Sequence, residues 1–312
     1  MSRVAVLKGG RSLERQVSLN SGARVEESLR RLGHEVLEID VSHDLVERLM
    51  EDRPDLAFVV LHGRDGEDGT VQELLEVLGI PYTGSRVPAC VRASDKVLAK
   101  HAMRDAGIPT PDFFAFSETA FRALGAAQAL PAMSSRLDFP IVVKPASQGS
   151  ALGIKFARSA GDVPTALIAA FSYDKKVLLE RYVAGRELAV SVLEVDGRAQ
   201  SLPIVEAVPE EESFYDFESR YEIGRTRFIC PAELDAEVAS QVQRLALEAF
   251  ELLGCSVFAR VDLMLDSSTL EPFVLEVNPI PGLTETSLLP QAADAAGIGF
   301  DDLIARIVDS AR

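Results

Sequence analysis

The chain is poor in cysteine, and what it has is badly spaced for bonding. Cys90, Cys230 and Cys255 are its only three, with no Cys-x-x-Cys pair. An odd, scattered set argues against a disulfide framework or a thiolate zinc site and leaves reduced cytosolic thiols as the expectation. Positive charge is also short: 32 Lys and Arg stand against 48 Asp and Glu, a net charge of −16. Such a surface repels nucleic acid and anionic membranes, so neither is expected as a partner. No apolar run approaches the roughly 20 residues of a membrane-spanning helix. The opening Met-Ser-Arg-Val-Ala-Val-Leu-Lys reads as a strand, not a signal peptide, which points to a cytoplasmic location. There is no internal repeat and no low-complexity tract. A P-loop is missing, and so is a Rossmann fingerprint after the first strand, which disfavours a dinucleotide cofactor. What remains is ordinary globular composition, 47% hydrophobic and 26% charged over 312 residues, enough for two or three modest domains.

Strands and helices alternate from the start. Val4–Leu7 reads as a strand, Arg15–Leu32 as a helix stopped by Gly33, and His34–Asp40 as a second strand. Asp44–Glu51 follows as a helix and Leu56–Leu61 as a buried strand. Thr70–Leu78 is a helix stopped by Gly79, and Ile80–Thr83 a strand. This order predicts an open, mostly parallel sheet, in which ligands bind beyond the carboxyl ends of the strands. Gly9-Gly10 and His62-Gly63 lie at that end. A helix beginning near Asp95 and the turn-rich Gly107–Pro111 mark the passage to a smaller unit. Its strands are expected at Phe113–Phe116, Ile141–Lys144, Ile154–Ala157 and Val177–Arg181, with a helix after the first and another ending near Phe171. From Gly185 a third unit is expected: a strand over Glu187–Glu194, a turn at Asp196-Gly197, a strand over Ser201–Val205 and a long polar segment over Pro209–Cys230. A helix over Asp235–Leu253, a hairpin and a terminal helix complete it. The expected division is 1–94, 95–185 and 186–312.

That last hairpin carries the strongest chemical signal. Phe258-Ala-Arg260-Val-Asp262-Leu-Met-Leu and Phe273-Val-Leu-Glu276-Val-Asn278 are apolar strands joined by a turn-like Asp-Ser-Ser. Residues two apart share a strand face, so Arg260 goes with Asp262 and Glu276 with Asn278. Charged groups seldom interrupt buried strands without compensation. Two carboxylates and a carboxamide on one face suit a hard cation such as Mg2+, held together with substrate phosphates. A buried Arg–carboxylate ion pair capped by Asn fits one such strand equally well; the matched spacing on two strands favours the cation.

The second signal is Ile141-Val-Val-Lys144-Pro-Ala-Ser-Gln-Gly149-Ser150-Ala-Leu-Gly153. A lysine ends a β-branched strand, and a loop of glycines and serines follows. Backbone N–H groups of such a loop can cradle phosphate oxygens, and the lysine adds a point charge. Glu180 at a strand end and Glu187 beyond Gly185 suit the polar edges of an adenine and a ribose. Each alone is more readily read as an ordinary solvated strand-end charge.

Taken together these features resemble the ATP-grasp ligases, and within them the D-alanine–D-alanine ligase family. The resemblance spans nearly the whole chain. It rests on Gly9-Gly-Arg-Ser-Leu-Glu14-Arg-Gln-Val-Ser18, on His62-Gly-Arg-Asp-Gly-Glu-Asp-Gly-Thr70, on the Lys144 loop, on Phe214-Tyr-Asp-Phe-Glu-Ser-Arg220-Tyr221, and on Arg260-Val-Asp262, Glu276-Val-Asn278 and Pro281-Gly282. It implies an ATP-grasp fold of mixed α/β and α+β type. The N-terminal domain would carry the open parallel sheet, a small central lid would follow, and the C-terminal domain would hold a mixed sheet. It implies joining two D-alanines through a D-alanyl phosphate at the expense of ATP, for peptidoglycan, by a cytoplasmic homodimer. Lys96 and Lys144 would contact phosphates, and Glu180 and Glu187 adenine and ribose. Asp262, Glu276 and Asn278 would bind two Mg2+, with Mn2+ as a possible substitute. Glu14, with His62 nearby, would hold the first D-alanine's ammonium. Arg260 and the Gly282 N–H would meet the oxyanion, and Ser287 and Leu288 the second carboxylate. Glu14, Ser150 and Tyr221 would form a triad across domains. Three departures from the family pattern touch loop detail and spare the metal ligands: Ala151 for serine, Arg220 for lysine, and Pro279-Ile280 after Asn278. Competing possibilities are another carboxylate–amine ligase (D-Ala-D-Ser, D-Ala-D-Lac or a different dipeptide) and a nucleotide-binding regulator without catalysis.

Overall fold

A computed structural model describes residues 1–195, 197–209 and 226–311. Tyr221 and Arg220, and Asp196 of the expected turn, lie outside the described residues. The first sheet has order β2-β1-β3, formed by β1 (Arg3–Lys8), β2 (Glu35–Asp40) and β3 (Leu56–Val59), all parallel. Strand alternation sends Val4 and Val6 to one core and Ala5 and Leu7 to another, so both faces are buried, as parallel sheets require. Helix α1 (Arg15–Arg31) covers one face through Val17, Ser21, Val25 and Leu29, spaced four apart. Helices α2 (Leu45–Asp52) and α3 (Thr70–Leu78) cover the other. The strand expected over Ile80–Thr83 is reduced to one parallel bridge, Ala57 to Tyr82. Pro81 has no N–H to give a ladder, and the Thr83 hydroxyl accepts from the Val59 N–H in place of a backbone partner.

Helix α4 (Val87–Ser94) and helix α5 (Lys96–Asp105) lead to the second sheet. Its order is β4-β7-β5-β6, from β4 (Phe113–Ser117), β5 (Ile141–Pro145), β6 (Lys155–Ala157) and β7 (Lys176–Arg181), all antiparallel. The single helix expected after β4 is α6 (Glu118–Ala123), a 3-10 turn and α7 (Leu130–Leu137), broken at Gly125 where φ is +73°. Helix α8 (Val163–Phe171) packs with Ile141, Val143, Val177 and Leu179 into a core of its own. The alternate residues Val142, Lys144 and Glu180 therefore face the other way, into a cleft.

The third sheet has order β11-β10-β8-β12-β13, with β9 on the end of β8. Its strands are β8 (Gly185–Val195), β9 (Arg198–Ser201), β10 (Val205–Pro209), β11 (Thr226–Ile229), β12 (Phe258–Asp266) and β13 (Pro272–Asn278). Residues expected in one strand over Ser201–Val205 are split between β9 and β10. Pro203 lies between them, where a ladder N–H would be lost. Every described pairing is antiparallel, a narrower outcome than the mixed sheet expected; short turns join β8 to β9 and β12 to β13, which allows only antiparallel pairing there. Helix α9 (Ala236–Leu253) packs on one face. The opposite face shares a core with the first sheet through Ala189, Leu193, Phe258, Val4 and Phe58. The single terminal helix expected is two, α10 (Leu288–Ala295) and α11 (Phe300–Asp309), interrupted at Gly297 with φ of +77°. Among the described residues no helix is long and apolar enough to cross a membrane.

Candidate active site

The inward faces of the second and third sheets bound a slot. Val142, Ile154, Phe156 and Val183 line one wall, Met264 and Leu275 the other, with Glu187 at its edge. Apolar walls around a few placed polar groups are what a nucleotide base requires. The far wall depends on a β-bulge. Asp262 pairs with Glu276 but Leu263 with Val274, so Leu275 is an extra residue. Consecutive residues Leu275 and Glu276 both face the slot as a result, while Val274 and Val277 stay in the core.

Beyond the apolar stretch the slot is lined by charges that meet in pairs. Lys144 Nζ lies 2.6 Å from Glu180 Oε1, and Lys100 Nζ lies 2.6 Å from Glu180 Oε2. Burial alone would raise the Glu180 carboxyl, but the two lysines outweigh it and hold it below the usual range. Burial pushes the Lys100 ammonium down to about 8, against the pull of Glu180. Lys96 Nζ donates to the Gln148 carbonyl at 2.7 Å and stands 3.1 Å from Glu276 Oε2. Arg260 grips Asp262 with both arms, at 2.7 and 2.8 Å, and Asn278 Nδ2 donates to Asp262 Oδ2 at 3.0 Å. Arg260 sits opposite Asn278 in the ladder and Asp262 opposite Glu276, so all four side chains crowd one patch of sheet. The Arg–carboxylate pair capped by Asn is thus present in this form of the chain.

The same patch passes a test as a cation site. Its donors are two facing carboxylates and a carboxamide whose Oδ1 is left over when Nδ2 binds Asp262. Among the described residues no cluster of three or more His, Cys, Asp or Glu forms a cage by itself. A set of two carboxylates suits Mg2+, which keeps waters and takes substrate phosphates as its other ligands, more than an ion that demands an all-protein cage.

The other end of the cleft is built on loops beyond β1 and β3. Glu14, just before α1, is buried, and the Ser150 hydroxyl from the loop after β5 donates to its Oε1. Burial and the nearby Glu67 raise the Glu14 carboxyl, with Ser150, His62 and Lys96 opposing. No Lys or Arg among the described residues lies within 4.0 Å of it. Glycines make the room: a Cβ on Gly63 would meet Glu14 Oε2 at 2.5 Å, and one on Gly149 at 2.9 Å. His62 is held in a relay. Its Nδ1 meets the Ile280 carbonyl at 3.0 Å, and Ser21 Oγ, which accepts from the Leu283 N–H at 3.1 Å, lies 3.4 Å from Nε2. Nδ1 facing a carbonyl assigns the proton to Nδ1. The carbonyl of Ile280 and the N–H of Leu283 flank Gly282, so α1 and β3 together fix the chain at that glycine. A Cβ on Gly282 would strike Ser287 Oγ at 2.6 Å. Ser287 stands at the N-cap position of α10 with its Oγ accepting from the Thr284 N–H at 3.0 Å instead of capping the helix, and Leu288 begins that helix, whose N-terminal N–H groups favour an anion.

The slot thus gathers Lys96, Lys144, Glu180, Glu187, Asp262 and Glu276, with Asn278 and Arg260 bonded or paired beside them; Glu14 and Ser150 are bonded to each other, His62 is tied to the chain around Gly282, and Ser287 and Leu288 stand at the start of α10, with Leu288 packed in the core. Lys100, Ser21, Glu67 and Gln148 join them unforeseen. Lys100 had a signal: it lies one helical turn from Lys96, on a face where Val97, Ala99 and Met103 are buried. The other three act through backbone or relayed contacts that spacing does not encode.

Two family models match, described as D-ala D-ala ligase N-terminus over residues 47–85 and D-ala D-ala ligase C-terminus over residues 102–309. The D-alanine–D-alanine ligase of Moorella thermoacetica is 43% identical over 309 residues, covering 99% of both chains. That of Syntrophotalea carbinolica is 44% identical, covering 99% of this chain and 96% of its own. The crystal structure of D-alanine–D-alanine ligase from Bacillus anthracis complexed with ATP superposes with a TM-score of 0.81 at 34% identity, over 99% of this chain and 97% of that one. Likeness over nearly the full length, in sequence and in fold, leaves one conclusion: the chain belongs to the D-alanine–D-alanine ligase family of ATP-grasp enzymes.

Proposed function

We propose that the chain is an ADP-forming ligase that joins two D-alanines into D-alanyl-D-alanine for peptidoglycan synthesis. The observation that carries this is the buried carboxylate of Glu14, which has no ion-pair partner within 4.0 Å among the described residues and lies against Gly63 and Gly149, two residues of a cavity that shares Lys96, Gln148 and Glu276 with the slot. A buried anion in that state is a receptor for an ammonium. The first D-alanine places its ammonium on Glu14 and its carboxylate toward the ATP γ-phosphate. Lys96 and Lys144 hold phosphate oxygens, and Glu187 the ribose edge of the nucleotide. Asp262, Glu276 and Asn278 would hold two Mg2+, replaceable by Mn2+, which would supply charge to offset that of the phosphates. Arg260 and the Gly282 N–H are the donors for the substrate oxyanion. The carboxylate attacks the γ-phosphorus and ADP leaves. The amine of the second D-alanine, its carboxylate at Ser287 and the start of α10, then attacks the acyl carbon, and phosphate departs.

The assay is ADP formation against D-alanine, D-serine, D-lactate and L-amino acids, with oxygen-18 in the first carboxylate. Oxygen-18 in phosphate and dependence on D-alanine are expected. AMP as product, or unlabelled phosphate, rules the reading out.

Three further assignments go with it. The chain divides at 1–94, 95–185 and 186–312, supported by one sheet falling in each range to within a residue. It is a homodimer, supported by exposed Leu74, Val77 and Val91 on the packed pair α3 and α4, and sedimentation at micromolar concentration tests it. It works in the cytoplasm, where ATP is available.

A further inference from the structure

Lys100 does none of the work described so far. It lies on α5 with no exposed surface, and it is absent from the lining of the slot. A fully buried lysine is rare, because its desolvation is unfavourable unless partners compensate. Its partners join three parts of the molecule. The ammonium contacts Glu180 Oε2 on β7 at 2.6 Å, stands 5.3 Å over the Phe113 ring of β4, and donates to the Thr110 hydroxyl. Thr110 Oγ1 in turn donates to the Val274 carbonyl at 2.8 Å, next to the bulge that turns Leu275 and Glu276 into the slot. Glu180 is shared: Lys144 takes its other oxygen from inside the slot.

Two lysines and one carboxylate leave this trio with a single net positive charge. Without the rear lysine the trio would be neutral, and Glu180 could turn both oxygens on Lys144 and draw it away from the phosphates. We propose that Lys100 is a positioning residue for the nucleotide: it holds Glu180 from behind the slot, so that Lys144 and Glu180 present a fixed, positively charged edge to bound ATP. This rests on the slot being the ATP site, and the test separates the two. Mg-ADP binding to the unmodified chain is measured first by calorimetry; no binding there defeats the ATP assignment itself. Lys100→Met should then weaken Mg-ADP about tenfold and raise the KM for ATP about as much, the loss of one charge-assisted contact, while the KM for D-alanine stays within twofold. In a Glu180→Gln background the same Lys100→Met step should change ATP affinity less than twofold, because Lys100 acts through Glu180. Unchanged ADP affinity, an equal rise in both KM values, or the full tenfold loss persisting in Glu180→Gln overturns the proposal. Thr110→Val keeps the charge and removes only its rest. It should weaken ADP about threefold in the same direction. If Lys100→Met does not fold, Thr110→Val decides, and wild-type ADP affinity in it overturns the proposal.

Discussion

The two ends of the cleft handle charge in opposite ways. At the nucleotide end each charge has a partner in place: Lys144 and Lys100 on Glu180, Lys96 on Glu276, Arg260 on Asp262. At the amino-acid end Glu14 is buried beside another carboxylate, Glu67, with a hydroxyl as its described hydrogen-bond partner. The first end waits with every charge paired and one positive charge in excess, and ligands enter by exchanging partners. The second is held in an unfavourable state that only a cation relieves. A site of the first kind contributes to the stability of the empty protein; one of the second kind detracts from it.

The comparison can be broken most severely at the hairpin. Glu276→Ala should lower kcat on the order of a thousandfold with Mg2+ present, because it removes charge that phosphoryl transfer depends on. Circular dichroism should show the fold retained, since Glu276 is not in a core. Near-normal turnover would remove the cation site from the account.

Glu14→Gln and Glu180→Gln sharpen it, since they should move stability in opposite directions. The folded Glu14 carboxyl lies above its unfolded value of 4.5, so the native state binds the extra proton and loses stability as pH rises through that window. Glu14→Gln should therefore raise the melting temperature at pH 7, show no gain below pH 4, and raise the KM for the first D-alanine at least tenfold. The folded Glu180 carboxyl lies below 4.5, so its stabilisation is present above that pH and is lost as pH falls. Glu180→Gln should lower the melting temperature at pH 7. Shifts of the same sign in the two variants would end the contrast.

The smallest effect belongs to a pair outside the cleft. Asp301 bonds Arg31 through both oxygens, at 2.7 and 2.8 Å, and Ser28 at 2.6 Å, tying α11 to α1. These contacts pull its carboxyl down to about 2. The side chain is 39% exposed, so solvent screening limits Asp301→Asn to about 1 kcal/mol or less. The loss should be visible in urea melts above pH 4 and fade as pH falls toward 2.

Much of this was legible in the chain because periodicity is local. The apolar runs Val4–Leu7 and Ile141–Lys144 mark strands, and the two-residue spacings in β12 and β13 place Arg260, Asp262, Glu276 and Asn278 together. The bulge at Leu275 was not legible, since it depends on how two strands register. Lys100 lies on an apolar helix face one turn from Lys96, but nothing in the sequence shows that β7 and Thr110 close over it. Ile80–Thr83 has strand composition, yet Pro81 limits it to one bridge. Tyr221, the third member of the expected triad, lies outside the described residues.

A Cβ on Gly149, in the loop after β5, would meet both oxygens of the same Glu14 carboxylate that a Cβ on Gly63 would meet from the loop after β3. The selectivity of the pocket is therefore steric as well as electrostatic: a side chain at either glycine would take up the space beside the carboxylate, so the size of the cavity is set by two loops that leave two different sheets.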